Sequence, residues 1–138
     1  MQNNRNTETE SKGLVREKHS SYRIWWDGEN HVARAWGRGA ITVDDANAFL
    51  HASDEMAEKY GPRVNWLNDL REIETPKRAA RKILAEALTN PNNAKYAFVG
   101  ASAFLRAVAN IIIAVSGNKN ARHFSTEGKA LEWLNEDK

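Results

Sequence analysis

From His31 onward the chain alternates, four times over, a short run of strand-forming residues with a longer stretch of helical periodicity. Parallel neighbours in a sheet need a crossover of a dozen or more residues, normally a helix, so this alternation predicts one α/β sheet with helices on its faces. The strand-like runs are His31–Trp36, Arg63–Leu70, Lys95–Gly100 and Ala121–Phe124. Before them, Tyr22-Arg23-Ile24-Trp25-Trp26 and the turn signal Asp27-Gly28-Glu29-Asn30 predict a hairpin leading into the first unit. The expected order is β-β-α-β-α-β-α-β-α, a mostly parallel or mixed sheet of about five strands with four helices.

Each helix carries start and stop signals. Thr42 with Asp45 three residues later reads as a capping box, with Asp in place of Glu or Gln, and Tyr60-Gly61-Pro62 closes that helix. Its apolar stripe is Val43, Ala46, Phe49, Leu50, Ser53, Met56 and Ala57. Thr75-Pro76 reads as an N-cap followed by an N1 proline, opening a helix to about Leu88 that buries Ala79 or Ala80, Ile83, Leu84, Ala87 and Leu88. Ser102 caps a helix that ends at Ser116-Gly117-Asn118, and Ser125 or Thr126 begins the last.

With 138 residues there is room for one well-buried domain. Residues 1–18 offer almost nothing to bury and are expected to form a flexible N-terminal extension, with the domain spanning 19–138. The polar start predicts neither a signal peptide nor an anchor, which makes a cytoplasmic location the default. With no cysteine, disulfides, thiol nucleophiles, Cys-ligated zinc and iron–sulfur clusters are excluded. The net charge of +2 averages two opposed segments. Asp44, Asp45, Asp54, Glu55 and Glu58 face only Lys59 in the first helix, while Lys77, Arg78, Arg81 and Lys82 face only Glu86 in the second. Four clustered cations release few counterions, so nucleic acid is not the expected partner.

Residues 103–115 are apolar except for Arg106 and Asn110, which lie four apart and mark one narrow stripe. Such a segment is too short to span a bilayer. Three settings suit it: packing within the molecule, a homodimer face, or the wall of a ligand cavity.

The candidates for chemistry are few. No two of His19, His31, His51 and His123 stand in an i,i+4 relation, and no metal-binding phrase occurs. Gly100-Ala101-Ser102-Ala103 lacks the second glycine of a nucleophile elbow, which leaves Ser102 as a cap. Asp69 sits near the C-terminal end of a parallel strand, the edge where such sheets place ligands, and can orient Arg71.

The segments Tyr96–Arg106 and Arg122–Leu134, above all the phrase Phe124-Ser125-Thr126-Glu127-x-x-Ala130-Leu131-x-Trp133-Leu134, resemble the closing half of small bacterial STAS-like proteins. These are similar in fold to anti-sigma-factor antagonists and are also compared with the lipid-binding CRAL-TRIO domain. Asn65-Trp66-Leu67-Asn68-Asp69-Leu70 is similar to that family's central strand. The resemblance implies a non-enzymatic protein without cofactors that acts through contacts with itself or another protein. In phosphorylated members a serine at the next helix start accepts phosphate. This chain lacks the Asp-Ser-Ser-Gly-like phrase, and Thr75 is the residue onto which that role moves. The alternative is a carrier of a small apolar or anionic, lipid-like ligand, with Asp69, Arg71, Thr75 and Arg106 as candidate site residues.

Overall fold

A computed structural model of the chain describes residues 16–17 and 22–136. A mixed sheet forms its centre: β1 (Arg16–Glu17), β2 (Tyr22–Asp27), β3 (Val32–Gly37), β4 (Val64–Asp69), β5 (Asn93–Val99) and β6 (Ala121–Phe124). Four helices stand among the described residues: α1 (Val43–Tyr60), α2 (Arg78–Ala87), α3 (Ala103–Ser116) and α4 (Glu127–Leu134). The expected order of five strands and four helices is present, and β1 adds a two-residue strand to the sheet edge. β1 lies within the stretch 1–18; apart from these two residues that stretch falls outside the described residues, as does His19.

Sheet order repeats chain order, β1 through β6. The first three strands pair antiparallel and the remaining three junctions are parallel. With every crossover joining adjacent strands, a uniform right-handed sense puts α1, α2 and α3 on one face. Their mutual packing agrees, and α4 packs instead against β4, β5 and β6 from the other side. Two apolar layers result. Ile24, Ala33, Ala35, Val64, Trp66 and Tyr96 meet Phe49, Met56, Ala85, Leu88, Val108 and Ile112 under the three helices. Val32, Leu67, Ala97 and Val99 meet Ala130 and Leu134 under α4. β4 is buried at five successive positions because helices cover both its faces.

Local signals act where they were read. Thr42 Oγ1 accepts from the Asp45 N–H while Asp45 Oδ2 accepts from the Thr42 N–H, a complete capping box. Ser102 and Thr126 cap α3 and α4, and Gly117 closes α3 in the left-handed conformation at φ 78°. In α1, Ala52 is buried where Val43 was expected to be; Val43, in the first turn, is exposed. In α2, Ile83 and Leu84 are only half-buried.

The start of α2 differs from expectation. Its N-cap is Lys77, without a side-chain cap, and Thr75 and Pro76 lie before the helix. The cause is tertiary. The Gly39 N–H donates to Glu72 O, the Glu74 N–H to Gly39 O and the Lys77 N–H to Ile41 O, each at 2.9 Å. These bonds hold 72–77 as an extended strip beside 39–41, with a parallel bridge between Gly39 and Ile73. A helix opening at Pro76 would break that strip.

Candidate functional site

The carboxyl-terminal edge of the parallel strands gathers Asp69 and Arg71. The Arg71 Nη2 and Nε donate to Asp69 Oδ2 and Oδ1 at 2.6 and 2.9 Å, and the Arg71 backbone N–H adds a third bond at 3.0 Å. Burial pushes the Asp69 carboxyl up, but these bonds and the Arg71 and Arg34 charges outweigh it and hold it below the ordinary range. Arg71 lies over Gly100, where a Cβ would stand 2.2 Å from its Cγ; at φ +77° that position suits glycine alone. The pair is a rigid clasp joining the β4 and β5 ends. Arg34 forms a second clasp on the same face, donating to Asp27 at 2.9 Å and to Glu127 at 3.0 Å.

Of the four residues singled out from the sequence, only Asp69 and Arg71 touch. Thr75 is half-buried and caps nothing. Arg106 is exposed on α3, on the side toward β6, where Asn110 Oδ1 lies 3.1 Å from His123 Nε2. The polar stripe of α3 therefore borders the edge strand. His123 Nδ1 is buried and unpaired, so Nε2 carries the proton toward Asn110 and protonating Nδ1 would bury a donor. Burial, then the Arg106 charge, pushes this imidazole below its ordinary 6.5. As pH falls below that value the unfolded chain takes up a proton that the folded one refuses, so His123 draws stability away on the acid side. An NMR titration of the His123 ring should report a midpoint below 6.5, and urea melts should weaken as pH drops through the same window.

Beneath α1, α2 and α3, near the same edge, lies a cavity of about 70 Å³. Apolar side chains line it, among them Phe98, Leu105 and Ile112, and no lining residue is charged. Its polar liners are Tyr22, Tyr96 and Asn68. Burial, with the Asp45 charge, raises the Tyr22 phenol well above its usual value, and burial does the same at Tyr96, so both stay neutral. Tyr96 is also spoken for: its hydroxyl donates to Ala87 O and accepts from Asn93. Asn68 is 4% exposed, and its Nδ2 donates to nothing. Sequence reading passed over it. The signal was its parity: Val64, Trp66 and Asn68 share the helix-covered face of a central strand, where an amide is out of place. Arg71 and Arg106 do not line the cavity.

The outer face of α3 is the other unusual surface. Phe104, Ile111 and Val115 are 68%, 62% and 70% exposed, and with Ala107 they fall on one helical stripe about a quarter-turn around the helix from the buried Leu105, Val108 and Ile112.

Among the described residues no group of three or more His, Asp or Glu could hold a metal ion, and no helix is long and apolar enough to cross a membrane. The sequence model described as SpoIIAA-like matches residues 32–135. Seven chains of solved structures match the fold. One is an uncharacterised protein from Shewanella loihica PV-4, of the DUF3478 family and with a SpoIIAA-like fold; it is 14% identical at a TM-score of 0.61, over 88% of this chain and 92% of that one. No curated protein matches.

Proposed function

Because the chain belongs to the SpoIIAA-like family, we propose that it is a non-enzymatic contact domain that pairs with a second copy of itself through the outer face of α3. The observation that carries this reading is the exposed stripe of Phe104, Ile111 and Val115. Its spacing is self-complementary. An antiparallel two-fold contact centred on Ala109 sets the small Ala107 against Ile111 of the second copy and Phe104 against its Ala114, next to Val115. Large faces small at the middle and apolar faces apolar at the ends. A stable dimer needs about 800 Å² from each partner, so neighbouring surface must join the stripe.

The polar groups that would suggest catalysis have structural tasks, which supports the non-enzymatic part of the reading. Asp69 is clasped by Arg71, Ser102 caps α3, and His123 faces Asn110. The anionic-ligand alternative gains nothing from the arginines, since Arg71 is committed to Asp69 and Arg106 stands outside the cavity.

Sedimentation velocity over a range of concentrations tests the proposal. The natural sequence should form a dimer, and Ile111→Asp should be monomeric with an unchanged circular-dichroism spectrum. A two-fold axis counts the substitution twice. Losing burial of two isoleucines weakens association by roughly 3–6 kcal/mol, more than a hundredfold in Kd. A natural sequence that stays monomeric at every concentration overturns the reading.

A further inference from the structure

We infer that His123 and Asn110 form a proton-sensitive latch: it fastens α3 to the edge of the sheet, and a proton on His123 releases the helix and uncovers its inner stripe. The bond joins two parts of one chain and does not depend on a second copy.

α3 is the element such a latch can control. It packs beside α2 and covers the end of the sheet. Its inner stripe of Leu105, Val108 and Ile112 is buried, while Phe104, Ile111 and Val115 are exposed. Apolar burial is non-directional. Among the described residues, the Asn110–His123 bond is the one side-chain hydrogen bond between α3 and the sheet.

The ring's surroundings make that bond sensitive to protons. His123 pairs in register with Phe98, and the two rings lie 5.5 Å apart. Nε2 meets Asn110 Oδ1 at 3.1 Å, and Nδ1 is buried without a partner. A neutral ring with its proton on Nε2 satisfies this arrangement. A second proton goes to Nδ1, where no acceptor receives it. From α3, the charged group that bears on the ring is Arg106, one turn before Asn110. β5 presents Phe98 and, two residues earlier, Tyr96, whose hydroxyl is engaged with Asn93 and Ala87. Arg122, next to His123 on β6, points to the other face and lies over Trp133 at 5.0 Å. A charged ring thus buries an unpaired donor and sets a second cation beside Arg106 at the seam between α3 and β6. Moving α3 away relieves both, and it uncovers the Leu105 and Ile112 wall of the cavity.

Linkage sets the size of the effect. With the freed ring at the ordinary 6.5, opening at pH 5 is favoured over its value at neutral pH by up to about thirtyfold, the limit when the closed form takes no proton. The clasps at Asp27 and Asp69 stay charged through this window, since both carboxyls are held below the ordinary 3.8.

Amide hydrogen exchange on the full chain, corrected for the intrinsic effect of pH, reads the release. From pH 7.5 to pH 5, protection of the α3 amides at 108–114 should fall about five- to thirtyfold. In dilute urea their exchange should rise much less steeply than that of the β4 amides, because a helix leaving alone exposes less surface than the unfolding chain. His123→Gln, which keeps a neutral donor, should reduce the fall to less than twofold; it also separates His123 from His31 and His51, on the hairpin turn and α1. Arg106→Gln, an exposed substitution, should at least halve the fall and raise the midpoint of the His123 ring. A fall unchanged by either substitution would overturn the latch. So would α3 amides that match β4 in both protection and urea dependence, or a His123 ring that titrates while α3 protection holds.

Discussion

Replacing Trp66 with alanine is expected to remove about 3–5 kcal/mol of stability, the largest effect of any single side chain considered. Trp66 is 0% exposed in the middle of β4 and touches three kinds of neighbour. Phe49 of α1 meets it edge-on at 5.6 Å, Tyr96 of β5 stacks on it at 6.2 Å, and its indole N–H donates to Asn93 Oδ1 at 2.9 Å. Alanine leaves a hole the size of an indole between a sheet that cannot bend inward and a helix held by its own capping box. It also strips Asn93 of a donor. A domain of this size has about 5–15 kcal/mol in all, so the variant should unfold at a much lower urea concentration, with m unchanged. An equilibrium urea melt followed by circular dichroism measures this directly, and a loss below about 1 kcal/mol would show that the core closes over the gap.

Asn93→Ala is the second large effect, at about 2–4 kcal/mol, although it removes little volume. Asn93 Oδ1 accepts from Trp66, and its Nδ2 donates to the Tyr96 hydroxyl at 2.8 Å and reaches Ser53 Oγ at 3.4 Å. One amide thus connects β5, β4 and α1, and through the Tyr96 hydroxyl it reaches Ala87 O at the end of α2. Removing it leaves the indole N–H without its acceptor and the phenol without a donor, each a loss of about 1–3 kcal/mol in a buried setting. The two losses share an environment and do not simply add. A double-mutant cycle with Tyr96→Phe distinguishes the network from the packing: a coupling energy near zero would mean that the amide acts on Trp66 alone.

The parts of the fold legible in the sequence were those determined within a few residues. Thr42 with Asp45, Ser102, Thr126 and Gly117 act on backbone groups one turn away, so their meaning survives without tertiary context. The turn at Asp27-Gly28-Glu29-Asn30 is equally local, since Asp27 accepts from the Glu29 and Asn30 N–H groups. Thr75-Pro76 carried the same kind of signal and was overruled, because its backbone partner, Gly39–Ile41, is more than thirty residues away in the sequence. The family resemblance fell on the right segments, and the matched range of 32–135 contains both.

The candidate site was less legible for the same reason. Asp69 and Arg71 were found because they are two residues apart. The cavity is assembled from Asn68 on β4, Phe98 on β5, and Leu105 and Ile112 on α3, and no local pattern announces a gap among them. The α3 stripe was recognised as too apolar for its polar face. Its division into an inner wall and an outer contact surface required knowing that Asn110 turns toward His123.

The order of the sheet carries a consequence for how the protein is made. Since each strand pairs with its predecessor in the chain, synthesis can lay the sheet down as it proceeds, one strand and crossover at a time, without prising open a finished edge. After β4 emerges, about two dozen residues separate it from β5, which at ordinary elongation rates leaves its far edge bare for roughly one to five seconds.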